Sequence, residues 1–321
     1  MNEKVMRLSD NIEKVIIGKR EVIHKLIAAL LCGGHVLLQD VPGVGKSRLV
    51  ETLAGSVSGK FNRVQMTPDV MPADIMGFMM LTPDTKQFVY REGAALCNFL
   101  LADEINRASP KVQSGLLEIM EERKISIDSQ TIALPKPFIT FATQNPIETY
   151  GTYQLPEAQM DRFLIRASLG YLPPNEEIRL LDPMYQETGE IEPVLSTSQV
   201  VELQKEVSEV FCHPLVREYI MRLVSGTRNN EDVRLGISPR GTIGLNIMAK
   251  ALAFIKDRSF VTPEDVIEAA PYVLPHRIIL SQKGRGVFKT QEAFIEDLIN
   301  RTLLPETIVP QTDFQNNLQA T

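Results

Sequence analysis

Cysteine, histidine and surplus positive charge are all scarce in this sequence. The three cysteines, Cys32, Cys97 and Cys212, are dispersed and form no C-x-x-C pair. An odd, unpaired set suits a reducing cytosol, so a cytoplasmic location is expected. The four histidines, His24, His35, His213 and His276, show no metal-ligand spacing and read as structural. Lys plus Arg number 34 and Asp plus Glu 40, a net charge of −6. That balance argues against broad electrostatic binding to nucleic acid, which needs a basic surface. Met1 to Met6 show no secretory h-region, and no apolar stretch is long enough to span a bilayer, so no membrane insertion is expected. No internal repeat or low-complexity block is present. What the chain does have is 321 residues with 44% hydrophobic content, enough for a large core and about two domains.

The most informative stretch begins at His35. Val36-Leu37-Leu38 reads as a short buried strand. Asp40-Val41-Pro42-Gly43-Val44-Gly45-Lys46-Ser47 follows, and Arg48 to Ala54 has helical apolar spacing. Strand, glycine loop and helix is the context that makes a Gly-Lys-Ser tripeptide a phosphate cradle. Gly43 and Gly45 let backbone N–H groups close on an anion. The helix start adds its positive end. Lys46 would reach the β- and γ-phosphates, and the Ser47 hydroxyl would coordinate Mg²⁺. Asp40 stands where the usual pattern has its first glycine. The bland alternative is an ordinary turn containing Gly-Lys.

Asn98 to Ala102 reads as an apolar strand running into Asp103 and Glu104. Asp103 at a strand end can hold a Mg²⁺ water shell, and Glu104 can take the proton from a water attacking the γ-phosphate. Two acids at this place are also what a helix start favours. Phe138 to Ala142 is a further buried strand, ending at Asn145-Pro146. Asn145 can orient a water, or simply make the turn. The Ile17-Gly18 loop is either an adenine contact or a helix-to-helix connector. Residues 67–91 are too long for a tight connection, which favours function. Five of the twelve Met lie between 66 and 80, which suits either an adaptable surface or core filling. Lys124–Asp128 and Thr131–Leu134 read as a hairpin.

Four runs together carry a family resemblance: Asp40 to Ser47; Leu100-Leu101-Ala102-Asp103-Glu104-Ile105-Asn106-Arg107-Ala108; Ala142 to Glu148; and Leu155 to Phe163. The chain resembles the MoxR family of AAA+ ATPases over about residues 10 to 280. The resemblance implies a P-loop α/β domain with a five-stranded parallel sheet in 5-1-4-3-2 order, followed by an all-helical lid. It implies binding of ATP and Mg²⁺, ATP hydrolysis, and assembly into a homo-oligomeric, hexameric ring. A von Willebrand factor A-domain protein or another client protein is the implied partner, matured or remodelled by the motor. In that frame the cradle is Asp40 to Arg48 with Gly18 nearby, and Ser47 and Asp103 hold the metal. Asn145 becomes sensor one, Arg162 the arginine finger reaching a neighbour's ATP, and residues 67–91 the helix-two insert. The insert departs from the family's Gly-Pro-rich ending, reading Tyr90-Arg91-Glu92-Gly93-Ala94-Ala95. A non-hydrolysing nucleotide-switch scaffold and a magnesium-chelatase-like subunit are the alternative readings.

From Tyr171 onward the pattern is helical. Asn175–Glu187, Thr197–Phe211, Pro214–Arg228, Pro239–Ile255 and Pro263–Leu274 carry start signals and apolar periodicity. Arg240 sits at a helix N-terminus, where the dipole disfavours a cation and a nearby phosphate would relieve the conflict. This fits the sensor-two role that the resemblance implies for it; a surface Arg is the plain reading. The expected divisions are a nucleotide-binding domain over 1–170, a helical lid over 171–280 and a C-terminal extension over 281–321. The extension reads as polar, with its end frayed.

Overall fold

The computed structural model describes residues 2–84, 86–128, 130–147, 151–181 and 191–305. Five strands form the central sheet: β1 (His35–Gln39), β2 (Phe61–Gln65), β3 (Phe99–Asp103), β4 (Ile139–Gln144) and β5 (Phe163–Ala167). All neighbouring pairs are parallel, and the order is 5-1-4-3-2. Every residue of β3 and β4 is buried, as expected for parallel strands covered on both faces. Strand β2 lies at the edge and keeps only partial burial, with exposed Arg63 and Gln65 alternating along it. The register aligns Gln39 with Gln144 and Gln65 with Asp103. The C-terminal ends of β1 to β4 therefore form one polar rim.

Helices α1 (Glu3–Glu13), α2 (Arg20–Leu31), α3 (Lys46–Gly55) and α4 (Pro110–Glu122) accompany the sheet. Helix α2 is buried from Lys25 to Leu31. Four longer helices follow: α5 (Thr197–Glu209), α6 (Pro214–Arg228), α7 (Pro239–Ile255) and α8 (Pro263–Val273). Their starts are locally encoded. Ser196 and Gln199 cap each other at α5, at 3.2 and 2.8 Å. Ser238 Oγ accepts the Gly241 N–H at α7, 3.1 Å. Thr262 N–H donates to Asp265 Oδ2 at α8, 2.9 Å. The buried Arg277 ties this helical region to the start of β5, donating to Asp161 Oδ1 at 2.8 Å and the Leu164 carbonyl at 3.0 Å.

Several expectations shift. The expected helix over 175–187 is a short helix Pro174–Glu177 and a 3₁₀ turn Ile178–Leu181, and its remainder lies outside the described residues. The stretch after Ile279, read as a polar extension, contains helices Gln282–Phe288 and α9 (Gln291–Arg301). Phe294, Ile295 and Leu298 of α9 are buried in the same core as α6 and α8. Their i, i+1, i+4 spacing is an apolar stripe diluted by polar neighbours. The end read as frayed, Gln315–Thr321, lies outside the described residues. The 67–91 segment forms a short helix, Pro72–Met76, and an antiparallel hairpin, Gly77–Leu81 with Phe88–Glu92. Of the methionines between 66 and 80, Met66 is buried and Met71 is exposed.

His35 has a structural role. His35 Nδ1 accepts the Thr140 N–H at 2.9 Å while Nε2 meets the Met120 carbonyl at 3.0 Å, and burial lowers its pKa to about 4. Among the described residues no helix is long and apolar enough to cross a membrane. Phe294→Ala should destabilise the protein by about 3–5 kcal/mol, because an aromatic ring leaves a closed core. Chemical denaturation measures this. A change below about 0.5 kcal/mol would mean that α9 is peripheral.

Candidate active site

The loop from Asp40 to Gly45 joins the end of β1 to the start of α3, at the polar rim. Gly43 and Gly45 hold φ of +82° and +89°, and a Cβ on either would meet nothing within 4 Å. Their glycine identity is thus set by backbone conformation, and the space above the loop is open. Lys46 Nζ donates to the carbonyl oxygens of Asp40 and Val41 at 2.8 and 2.7 Å.

Asp40 has a different task from the glycine it replaces. Its Oδ2 accepts hydrogen bonds from Ser168 Oγ at 2.8 Å and from the N–H groups of Leu169 and Gly170 at 2.7 and 2.6 Å. Its Oδ1 accepts the Val41 N–H at 2.8 Å. The carboxylate ties the loop to the segment leaving β5. Burial pushes its pKa up, but the hydrogen bonds from Gly170, Ser168, Val41 and Leu169 outweigh this and hold it below the ordinary aspartate value.

Asp103, at the end of β3, is the hub of the rim. Its Oδ1 accepts from Thr143 Oγ1 at 2.6 Å. Its Oδ2 accepts from Ser47 Oγ at 2.9 Å and from Arg63 Nη2 at 2.7 Å. Glu104 takes a left-handed conformation, φ +59°, that a side chain of this kind holds only where its surroundings demand it. Its N–H donates to Thr143 Oγ1 at 2.8 Å. Its carboxylate accepts from Gln65 Nε2 at 2.9 Å and Arg107 Nη1 at 3.1 Å.

Two adjoining cavities result. One, of about 380 Å³, is lined by Lys46, Ser47, Asp103, Glu104 and Asn145 among others. The second, of about 300 Å³, is lined by Ile16, Ile17, Val44, Leu169 and Leu172 among others. They share Pro42, Gly43, Gly45 and Arg48. A polar hollow rich in cations and donors therefore continues into an apolar one. That shape fits a molecule with a polyanionic end and a flat apolar end. The hard oxygens of Ser47 and Asp103 suit Mg²⁺, which binds one or two carboxylates and keeps oxygen partners from phosphate and water.

The candidate residues separate into groups. Lys46, Ser47, Asp103, Glu104 and Asn145 converge on the polar cavity. Asn145 Oδ1 also accepts the Ile147 N–H at 3.1 Å, so it makes the turn and lines the cavity together. Gly18, Asp40 and Val41 line neither cavity. Gly18, at φ +67°, lets the Ile17 loop fold against Leu172, which a Cβ would approach to 3.0 Å.

Arg162 and Arg240 are elsewhere. Arg162 directly precedes β5, whose first residue pairs with His35 at the start of β1. The loop leaves the opposite end of β1, five residues and about 16 Å away. Arg162 Nε donates to Glu121 Oε2 at 2.8 Å. Arg240 donates to the other oxygen of Glu121. Asp161 fixes the two arginines in register, accepting from Ser238 Oγ and Arg277 Nε, both at 2.8 Å. Within a single chain Arg240 stands beside a carboxylate. The anion that relieves the dipole conflict is the Glu121 carboxylate.

Sequence reasoning missed Arg63, Gln65, Thr143 and Glu121. The first two carry a usable signal, alternating on a strand beside the one that ends in Asp103. Glu121 carries none, because its partners lie 41 and 119 residues away.

Residues 35–165 match the family model described as the ATPase family associated with various cellular activities (AAA), and residues 225–298 match that of the AAA lid domain. The chain is 43% identical over 300 residues to the uncharacterized protein YeaC of Bacillus subtilis, covering 92% of this chain and 93% of that one. It is 40% identical over 310 residues to chaperone MoxR1 of Mycobacterium tuberculosis, covering 94% and 82%. Protein MoxR of Methylorubrum extorquens is 30% identical over 301 residues, covering 85% and 87%. A crystal structure from Cytophaga hutchinsonii, described only as a candidate ATPase, superposes with a TM-score of 0.86 at 36% identity, covering 95% of both chains.

Asp40→Ala should cost about 1–3 kcal/mol, since three donors from 168–170 lose their acceptor. A carboxylate held below its ordinary value stabilises the fold above that value and stops doing so as pH falls through the folded-state value. The cost should stay constant from neutral pH down to about 4 and shrink below it. Denaturant midpoints of both proteins across pH measure this. A cost that grows on acidification would contradict the tether.

Proposed function

The chain belongs to the MoxR family of AAA+ ATPases, and we propose that it is an ATP-hydrolysing motor that remodels or matures a client protein in the manner of a chaperone. The observation that carries this reading is the convergence of Lys46, Ser47, Asp103 and Glu104 on one cavity with an apolar hollow beside it.

ATP would lie with its phosphates over Gly43 to Ser47 and its base against Ile17 and Leu172. Lys46 would leave its loop carbonyls for the β- and γ-phosphates. Ser47 and Asp103 would hold Mg²⁺, which supplies neutralisation of the developing phosphate charge. Glu104 would accept the proton of the attacking water, and Asn145 would orient that water by donating and accepting hydrogen bonds.

One chain alone offers no arginine finger at this cavity from the Arg162–Arg240 pair, which lies at the opposite end of the sheet's strands. In a ring, one protomer's arginine edge would face the next protomer's phosphate cavity. Arg162 would then act in trans, with Arg240 beside it. A homo-oligomeric, hexameric ring follows from the family frame, as does a von Willebrand factor A-domain protein or another client as partner. A cytoplasmic setting and no use of nucleic acid fit the composition. Cycles of binding and hydrolysis would move the helical region against the sheet, shifting the hairpin that displays exposed Phe78, Leu81 and Phe88.

Glu104→Gln separates the motor from a nucleotide-switch scaffold. The amide keeps size and hydrogen bonding but cannot take a proton. Turnover should fall about 10²–10⁴-fold with ATP binding retained. Phosphate release and nucleotide titration measure the two halves, and near-normal turnover would assign Glu104 a structural role.

A further inference from the structure

Asp103 already carries a cation of the chain's own. Arg63 donates through Nη2 to Asp103 Oδ2 at 2.7 Å, the same oxygen that accepts the Ser47 hydroxyl at 2.9 Å. Those two groups are the pair that fits Mg²⁺. Arg63 also donates through Nη1 to Glu51 Oε1 on α3, at 3.1 Å. It lines the polar cavity. Its placement is set by the edge strand, where Arg63 pairs with Leu101 two positions before Asp103.

From this geometry we infer that Arg63 is a counter-cation that competes with Mg²⁺ for Asp103 and sets how strongly nucleotide affinity depends on the metal. The inference rests on the nucleotide reading of the cavity. A carboxylate oxygen that accepts from both Ser47 and Arg63 has its two lone-pair directions engaged. A divalent cation at Ser47 and Asp103, with its shell of water, claims those same directions. Arginine remains charged throughout, so it cannot yield by losing a proton. It can yield by moving wholly to Glu51, a second acceptor already within hydrogen-bond distance. In the absence of metal, Arg63 balances the adjacent carboxylates Asp103 and Glu104 and offers donors to a polyphosphate. In its presence, that work passes to the dication and Arg63 becomes dispensable for affinity.

The test uses the full chain and a fluorescent, non-hydrolysable ATP analogue. Affinity is titrated in excess EDTA and in saturating Mg²⁺ for the native protein, Arg63→Gln and Arg63→Lys. Circular dichroism checks that each variant is folded. Arg63→Gln should weaken metal-free binding about tenfold, the value of one charge-assisted hydrogen bond. Its affinity in saturating Mg²⁺ should change by less than about threefold, and the Mg²⁺ midpoint should move to lower concentration. Arg63→Lys, which keeps the charge, should lie between the two in EDTA. Equal losses in both buffers would overturn the inference by making Arg63 an ordinary phosphate contact. Unchanged affinities in both would overturn it by making the Asp103 pair a surface ion pair. If the native protein binds the analogue in neither buffer, the nucleotide reading fails and takes the role of Arg63 with it. Binding by the native protein with either of the first two patterns sinks the Arg63 inference alone.

Discussion

The Asp103 carboxylate is the interaction on which the site depends. It ends β3, and its two oxygens collect Thr143 from β4, Ser47 from α3 and Arg63 from β2. Four elements are thereby held in register at one rim. A buried carboxylate is costly unless its lone pairs are filled, and here each oxygen is hydrogen-bonded. The same network shapes its neighbour. Thr143 bridges Asp103 and the Glu104 N–H, which fixes the left-handed turn that aims the second carboxylate at the cavity. Asp40 supplies the matching constraint from the other side, fastening the phosphate loop to the chain leaving β5.

The second organising fact is separation. Parallel strands put the loop, both acids and Asn145 at their C-terminal ends, as ligand sites in open α/β sheets usually are. Arg162 and Arg240 are locked together at the other end by Asp161, Ser238, Arg277 and Glu121. Arg277 is buried and also grips backbone carbonyls of β5, which ties the pair to both the sheet and the helical region.

Much of this was legible in the sequence where the signal is local. The loop, the Asp103-Glu104 pair after an apolar run, and the helix caps at Thr262 and Ser238 are all encoded within a few residues. The order of the five strands came with the family resemblance and holds in the structure. What escaped is set by distant partners. The tether role of Asp40 depends on residues more than a hundred positions on. The dipole conflict at Arg240 is visible in the sequence, whereas its pairing with Glu121 is not. Helix α9 leaves only a weak signal in the sequence, because its three buried apolar residues sit among charged ones. In the sequence Arg63 is only a strand residue, and its place against Asp103 appears once that strand lies beside β3.

The central claim is that a complete site needs one edge from each of two protomers. Mixing Arg162→Ala with Glu104→Gln tests it most directly. Arg162→Ala protomers keep their own Glu104, and Glu104→Gln protomers still present Arg162 to a neighbour. Where the right faces meet, a whole site is rebuilt, and arginines supplied in trans are worth about 10³–10⁵ in rate in related phosphoryl-transfer systems. Mixed at equal amounts and shown to co-assemble by size-exclusion chromatography, the two mutants should recover partial ATPase activity, clearly above either alone. Co-assembly with activity no higher than that of the separate mutants, or wild-type turnover by Arg162→Ala alone, would contradict the account.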